Sequence, residues 1–205
     1  MAVVVTVAQQ KGGAGKTMLA ASLAAAFAGS RRVALLDIDP QHSLSRWHAL
    51  RPATAPAIAL SGLAGWRLAA EIERLRRDHD LLIVDSPPHV DTDARLAIRA
   101  ASLVLVPVQP SAPDLWAAAA TLELARAERR TARLVLNRVT GTVLKASIAA
   151  ELARLPEQPL QARLGNRIGY AAAFAQGLGV TEAAPRSPAA RELQALADEV
   201  AGLLA

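Results

Sequence analysis

The sequence predicts an α/β fold, a mostly parallel, twisted sheet with helices on both faces. Three observations predict it. Short runs rich in Val, Leu and Ile recur along the chain, and alanine-rich stretches with helical spacing separate them. Those runs are apolar on consecutive residues, as strands buried on both faces require. The first run passes through a glycine-rich loop directly into a helix, the local order of a phosphate-binding unit. At 205 residues the chain suits one domain, spanning 1–205.

Composition narrows the class. Hydrophobic residues at 52% and charged ones at 20% describe a globular protein with an ample core. There is no cysteine, which excludes disulfides and thiolate-held metals or clusters. A formal net charge of +5 and a pI near 10.6 favour polyanion partners, either nucleic acid or an acidic membrane surface. Scattered arginines are more often a solvated face, so charge alone does not choose. No basic leader precedes the first strand, and the longest apolar run is far below the ~20 residues of a membrane span. A cytoplasmic protein is expected.

The first strand is Val3–Val7, and the loop Gln9-Gln10-Lys11-Gly12-Gly13-Ala14-Gly15-Lys16-Thr17 follows it. Glycines let successive backbone N–H groups turn inward as a nest for anionic oxygens. The next helix, Met18 to Phe27, adds its N-terminal partial positive charge. Lys16 is placed to reach the β- and γ-phosphates of a nucleotide, and the Thr17 hydroxyl to ligate Mg²⁺. Lysine otherwise occurs only at Lys11 and Lys145, so the loop holds two of the few compact ammonium groups in an arginine-rich chain.

The second strand, Val33–Leu36, runs into Asp37-Ile38-Asp39-Pro40-Gln41. Strand alternation sends Asp37 and Asp39 to one side, at the carboxyl end where ligands of parallel sheets gather. Taken alone, the pair reads equally well as metal and water ligands or as a polar strand-to-helix cap. A short helix over Ser43–Leu50 carries Trp47, a loop spans Arg51–Pro56, and Ile58–Leu60 is a weak edge strand. A helix is expected from Trp66 to Arg77, with both Trp47 and Trp66 assigned to the core. The strand Leu81–Val84 ends in Asp85-Ser86-Pro87-Pro88, where a carboxylate can hold Mg²⁺. His89 receives no role, and Asp80, Asp91 and Asp93 read as turn and cap residues. Arg95–Ala101 continue a helix, Ser102–Val106 form a strand, and a proline-rich turn runs to Asp114. Asp114 is expected to cap a helix from Leu115 to about Arg130. Arg129, Arg130 and Arg133 read as solvating its end. Ala132–Leu136 is a strand ending in Asn137-Arg138. A helix from Leu144 to Leu155, a short strand Leu160–Leu164 and a final helix from Pro188 complete the pattern, the last with a stripe of Leu193, Leu196, Val200, Leu203 and Leu204.

The loop Lys11-Gly12-Gly13-Ala14-Gly15-Lys16-Thr17 resembles the deviant Walker A loop of the ParA/MinD family of ATPases, and Gln9-Gln10 ahead of it is closer to the ParA branch. Asp37-Ile38-Asp39-Pro40-Gln41 and Asp85-Ser86-Pro87-Pro88 are similar to further motifs of that family. The resemblance covers nearly the whole chain, strongly to Asp85 and more weakly after Asn137. It implies a single-domain phosphate-loop NTPase that uses ATP and Mg²⁺. Gly12, Gly13, Ala14, Gly15, Lys16, Thr17 and Met18 would cradle the nucleotide, with Met18 standing where the family commonly offers a hydroxyl. Lys11 would cross to the nucleotide of a second subunit in an ATP-dependent homodimer. Thr17, Asp37 and Asp85 would serve Mg²⁺, and Asp39 would orient the attacking water, so that Lys11, Lys16 and Asp39 form the catalytic set. Asn137 would read adenine, with Arg138 nearby.

The same resemblance implies a partition or positioning ATPase that binds duplex DNA without reading its sequence. Arg163, Arg167, Arg186 and Arg191 would contact DNA. A ParB-like or cargo-adaptor protein would stimulate hydrolysis and release the dimer, and the protein would associate with the nucleoid when ATP is bound. Unlike larger ParA proteins, no DNA-reading extension precedes the first strand. Two alternatives stand beside this: a MinD-like regulator cycling on a membrane, and a metabolic phosphate-loop synthetase. The final helix, with Arg191 against Glu192, Asp198 and Glu199, is a poor match for an anionic membrane surface. No catalytic motif beyond the ATPase set supports the synthetase.

Overall fold

Seven strands make one sheet in the computed structural model, which describes residues 2–88, 92–141 and 144–205. They are β1 (Val3–Val7), β2 (Val33–Asp37), β3 (Ile58–Gly62), β4 (Leu81–Asp85), β5 (Leu103–Val108), β6 (Thr131–Val139) and β7 (Pro159–Gly165). Their order is β3-β2-β4-β1-β5-β6-β7, with every neighbouring pair parallel. The helices are α1 (Lys16–Ala28), α2 (Ser43–Ala49), α3 (Leu68–Leu75), α4 (Thr92–Ala100), α5 (Ala112–Ala127), α6 (Ala146–Ala153), α7 (Ile168–Phe174), α8 (Val180–Ala183) and α9 (Pro188–Leu203). The fold is that of a phosphate-loop NTPase.

Strand alternation divides the core between two faces. Val5, Val7, Leu35, Leu81, Ile83, Leu103 and Leu105 pack on one side with α1, α2 and α7 to α9. On the other side, Val4, Leu36, Leu82 and Val84 meet α3 and α4, while Val104, Val106, Leu134 and Leu136 meet α5 and α6. Burial on both faces explains why the strands carry no polar alternation. The stripe of α9 is sheltered at Leu193, Leu196 and Val200, but Leu203 at its end is exposed.

Several expectations are corrected. Trp47 is buried against α1 and stacks on Phe174, whereas Trp66 is 74% exposed. Trp66 lies in a single 3-10 turn, Gly65–Arg67, ahead of α3, and Arg67 covers its ring at 5.1 Å. Strand β5 continues through Pro107, which pairs with Val135, so the turn begins later than its prolines suggest. Helix α5 starts at Ala112 and is capped by Ser111, whose hydroxyl accepts from the Asp114 N–H at 3.3 Å. Asp114 therefore sits inside the first turn and is buried. The segment after Gly165 holds α7 and α8, which the sequence did not announce. His89 and Asp91 lie outside the described residues.

Candidate nucleotide cleft

The loop between β1 and α1 turns at Gly13, with φ +80, and at Gly15, with φ +95. Only glycine takes these angles without strain. At Gly15 a side chain is also excluded by space, because an added Cβ would collide with Asn137 Nδ2. The helix begins at Lys16, so its free N–H groups face the loop concavity. A cleft of about 400 Å³ opens there, walled by Gly12, Gly13, Lys16, Thr17, Asp39 and Arg138. A second, about 550 Å³, adjoins it and is lined by Asn137, Asn166, Tyr170 and Ala171. Met18, Arg138 and Phe174 line both. The two together form one trough, with a more polar, phosphate-sized end and a larger, more apolar end.

Three carboxylates and one ammonium meet beneath the loop. Asp37 and Asp85 end adjacent strands and stand in register. Both are fully buried, Asp39 and Lys16 nearly so. Burial pulls the Lys16 pKa down, while Asp85 and Asp39 draw it back up. Asp85 is pushed up to about 7. Its burial is the main cause and Asp37 and Asp39 add to it, against the opposing pull of Thr17 and Lys16. The Thr17 hydroxyl faces Asp85 closely enough to oppose the shift, yet no hydrogen bond of good geometry closes on either Asp85 oxygen among the described residues.

The other two carboxylates are held by their neighbours. Asp37 Oδ2 accepts from the Ser45 N–H at 2.8 Å and the Ser45 hydroxyl at 2.6 Å, inside the first turn of α2. Asp39 Oδ1 accepts from the Gln41 N–H at 2.9 Å, which folds the loop back on itself. Of the expected metal set, Asp85 is thus open, Thr17 is beside it, and Asp37 is already engaged. Among the described residues no cluster of three His, Cys, Asp or Glu side chains could enclose a metal. Mg²⁺ still fits, because it is commonly held by one or two carboxylates and completed by phosphates and water. The orphaned oxygens of Asp85 are what such an ion would satisfy.

Asn137 is buried at the carboxyl end of β6. Its Nδ2 donates to the Ala14 carbonyl at 2.9 Å and its Oδ1 accepts from the Arg138 N–H at 2.9 Å. It therefore braces the glycine loop from behind, and Arg138 beside it is held at φ +52. Lys11 turns the other way. It is 41% exposed on the outer side of the loop, and its Nζ lies 2.6 Å from Asp114 Oδ2 of the same chain.

Sequence reasoning missed Ser45, Gln109 and Asp114 as parts of this site. Gln109 Nε2 donates to the Gly13 carbonyl at 3.2 Å. A hydroxyl shortly after Asp-x-Asp-Pro is a signal that could have found Ser45. Gln109 and Asp114 come together with the loop only through the tertiary fold.

The expected DNA contacts divide. Arg163 and Arg167 line one groove with Glu192, and Arg167 is committed to that carboxylate at 2.6 Å. Arg186 and Arg191 are exposed elsewhere and do not line that groove.

The chain is similar in sequence and fold to known nucleotide-binding proteins. Residues 5–180 match the CobQ/CobB/MinD/ParA nucleotide binding domain. The maintenance of carboxysome distribution protein A of Halothiobacillus neapolitanus is 30% identical over 204 residues, covering 95% of this chain and 94% of that protein. The chromosome-partitioning ATPase Soj of Thermus thermophilus is 32% identical over 236 residues, covering 96% and 94%. Among solved structures, the septum site-determining protein MinD of Pyrococcus horikoshii, complexed with Mg-ADP, superposes with a TM-score of 0.83 at 18% identity, over 100% of this chain and 98% of that one. Cyanothece apo McdA superposes with a TM-score of 0.80 at 20% identity, over 100% of both chains.

Proposed function

The chain belongs to the CobQ/CobB/MinD/ParA nucleotide-binding family and is an ATPase, and from that premise we propose that it positions a large cargo by cycling on and off chromosomal DNA. The cargo is a DNA molecule or a protein assembly. The observation that carries the proposal is the division of labour between two lysines on one loop: Lys16 is buried in the cleft, and Lys11 is turned out of it. An outward ammonium on a phosphate loop has its natural use at a phosphate held by a second copy of the chain. The relatives named for partitioning and for carboxysome distribution support the same reading.

In this reading ATP lies in the trough, with its phosphates in the loop nest and its base toward Asn137, Asn166 and Phe174. Lys16 neutralises charge on the β/γ-phosphates, and the loop N–H groups hold their oxygens in place. Thr17 and Asp85 would hold Mg²⁺, with Asp37 behind them; when bound, the ion neutralises charge on the phosphate oxygens. Asp39, at the cleft wall, orients water toward the terminal phosphate. Lys11 of each subunit reaches the other's nucleotide, so ATP builds the homodimer. Hydrolysis dissolves it when a ParB-like or adaptor protein stimulates the reaction. Exposed arginines meet DNA phosphates, which makes retention salt-sensitive.

The membrane alternative is weaker on one observation. The inner stripe of α9 packs on the sheet, and its Glu192 and Glu199 accept backbone N–H groups of β7. The face left exposed carries Arg191, Gln194 and Asp198, which is too polar to enter lipid. Among the described residues no helix is long and apolar enough to cross a membrane. Co-sedimentation with ATP decides the matter: retention on duplex DNA of any sequence is expected, and pelleting with anionic liposomes without DNA retention would overturn the proposal.

A further inference from the structure

The amino end of β6 carries an arginine groove that the nucleotide site does not use. The groove, about 430 Å³, runs between the end of α5 and the turn after α6. Arg126, Arg129, Arg130 and Arg133 line it, with Glu157 as its one carboxylate. Arg133 is paired with Glu157 at 2.9 Å. Nearby Glu128 is taken by Arg95 and Arg99 at 2.8 Å each. Arg126, Arg129 and Arg130 are exposed and carry no ion pair among the described residues.

The backbone adds an independent observation. Helix α5 ends with Arg129 N–H donating to the Arg126 carbonyl and Arg130 N–H to the Ala125 carbonyl at 2.8 Å. This is the Schellman pattern, whose hinge residue is left-handed and is usually glycine. Here the hinge is Arg129, at φ +55. An arginine held at a strained position that glycine would occupy freely points to a use for its side chain.

We propose that this groove binds the phosphodiester backbone of duplex DNA, with Arg126, Arg129 and Arg130 each meeting a phosphate. The inference rests on the DNA-cycling reading and names its surface. Of the arginines expected from the sequence, Arg167 is neutralised by Glu192 in the groove it shares with Arg163, and Arg186 and Arg191 do not line that groove. Guanidinium groups without carboxylate partners are the ones able to release counterions from DNA. The site also faces away from the chemistry. Thr131 and Asn137 lie on the same strand roughly 20 Å apart, at about 3.3 Å per residue. A duplex seated at one end leaves the nucleotide trough open at the other.

The test is titration of a labelled duplex with the ATP-loaded protein across a salt series. Arg126→Ala/Arg129→Ala/Arg130→Ala is expected to lose at least about tenfold in affinity and to flatten the salt dependence by about 3 per engaged subunit. Nucleotide affinity should not change. Arg129→Gly adds a readout that a merely structural role would not give: melting should rise by about 2 °C as strain is released, while duplex affinity falls. Wild-type affinity and slope in the triple variant, with loss instead in Arg163→Ala/Arg167→Ala, would overturn the groove and leave the DNA-cycling reading standing. No duplex binding by the wild-type protein would overturn both. Pelleting with phosphatidylglycerol vesicles that the triple variant abolishes, without duplex binding, would also overturn the inference.

Discussion

Lys11 Nζ sits 2.6 Å from Asp114 Oδ2, so the outward lysine of the glycine loop is tied to its own subunit. Asp114 is nearly buried and also accepts from the Ser111 hydroxyl at 2.5 Å, which fixes it at the start of α5. A lysine needed at a neighbour's phosphate must first leave this partner. Because Asp114 is buried, leaving it unpaired costs more than the roughly 1 kcal/mol of an exposed ion pair, a cost that ATP-driven association must meet. Asp114→Asn is therefore expected to tighten the ATP dimer by at least about fivefold in sedimentation equilibrium. Lys11→Ala should leave a monomer even with ATP. A fully dimeric Lys11→Ala variant would remove the crossing role.

Lys16→Ala should lose ATP affinity by at least about a hundredfold in calorimetry, because the buried ammonium is the main side-chain counter-charge for the phosphates. Tight binding by that variant would place the nucleotide elsewhere.

Asp39→Ala is expected to bind ATP and dimerise but to hydrolyse at least about tenfold more slowly, trapping the DNA-bound form. It removes the cleft-wall carboxylate while leaving Thr17 and Asp85 in place. A normal partner-stimulated rate would contradict the assignment.

Asp85 gives a pH prediction. Its folded pKa of about 7 lies above the ordinary 3.8. The nucleotide-free folded state therefore binds the proton more tightly than the unfolded chain. Stability from this group is full below about pH 4, falls as pH rises, and is lost above about pH 7. Asp85→Asn should stabilise the Mg²⁺-free and nucleotide-free protein by roughly 4 kcal/mol at pH 8 and by little at pH 4. Urea unfolding at the two pH values checks it; equal gains would show that burial of the charge is not the cause.

The strands were legible in the sequence because burial on both faces leaves an unmistakable apolar run, and the motif residues fell at strand ends for the same reason. What was lost depended on neighbours distant in sequence. Trp66 and Trp47 look alike locally, but only Trp47 has α1 and Phe174 to pack against. Asp114 reads as a cap until Ser111 takes that position. Asn137 reads as a turn or a base contact, while its bond to Ala14 spans most of the chain. Arg129 and Arg130 read as a solvated helix end, since no local pattern reveals a left-handed arginine.

Strand β6 joins Asn137 at the trough to Thr131 beside the arginine groove, and its interior is buried between neighbours on both sides. Such a strand is a stiff rod, poorly suited to carrying a shape change from nucleotide to DNA. ATP need not reshape the groove at all. By pairing two subunits through their nucleotide faces it leaves a groove at each far end of the dimer, and on a long DNA the second groove's encounter with another stretch becomes an intramolecular event at high effective concentration. On that account the nucleotide sets how many grooves act together, and each groove's own affinity stays constant through the cycle.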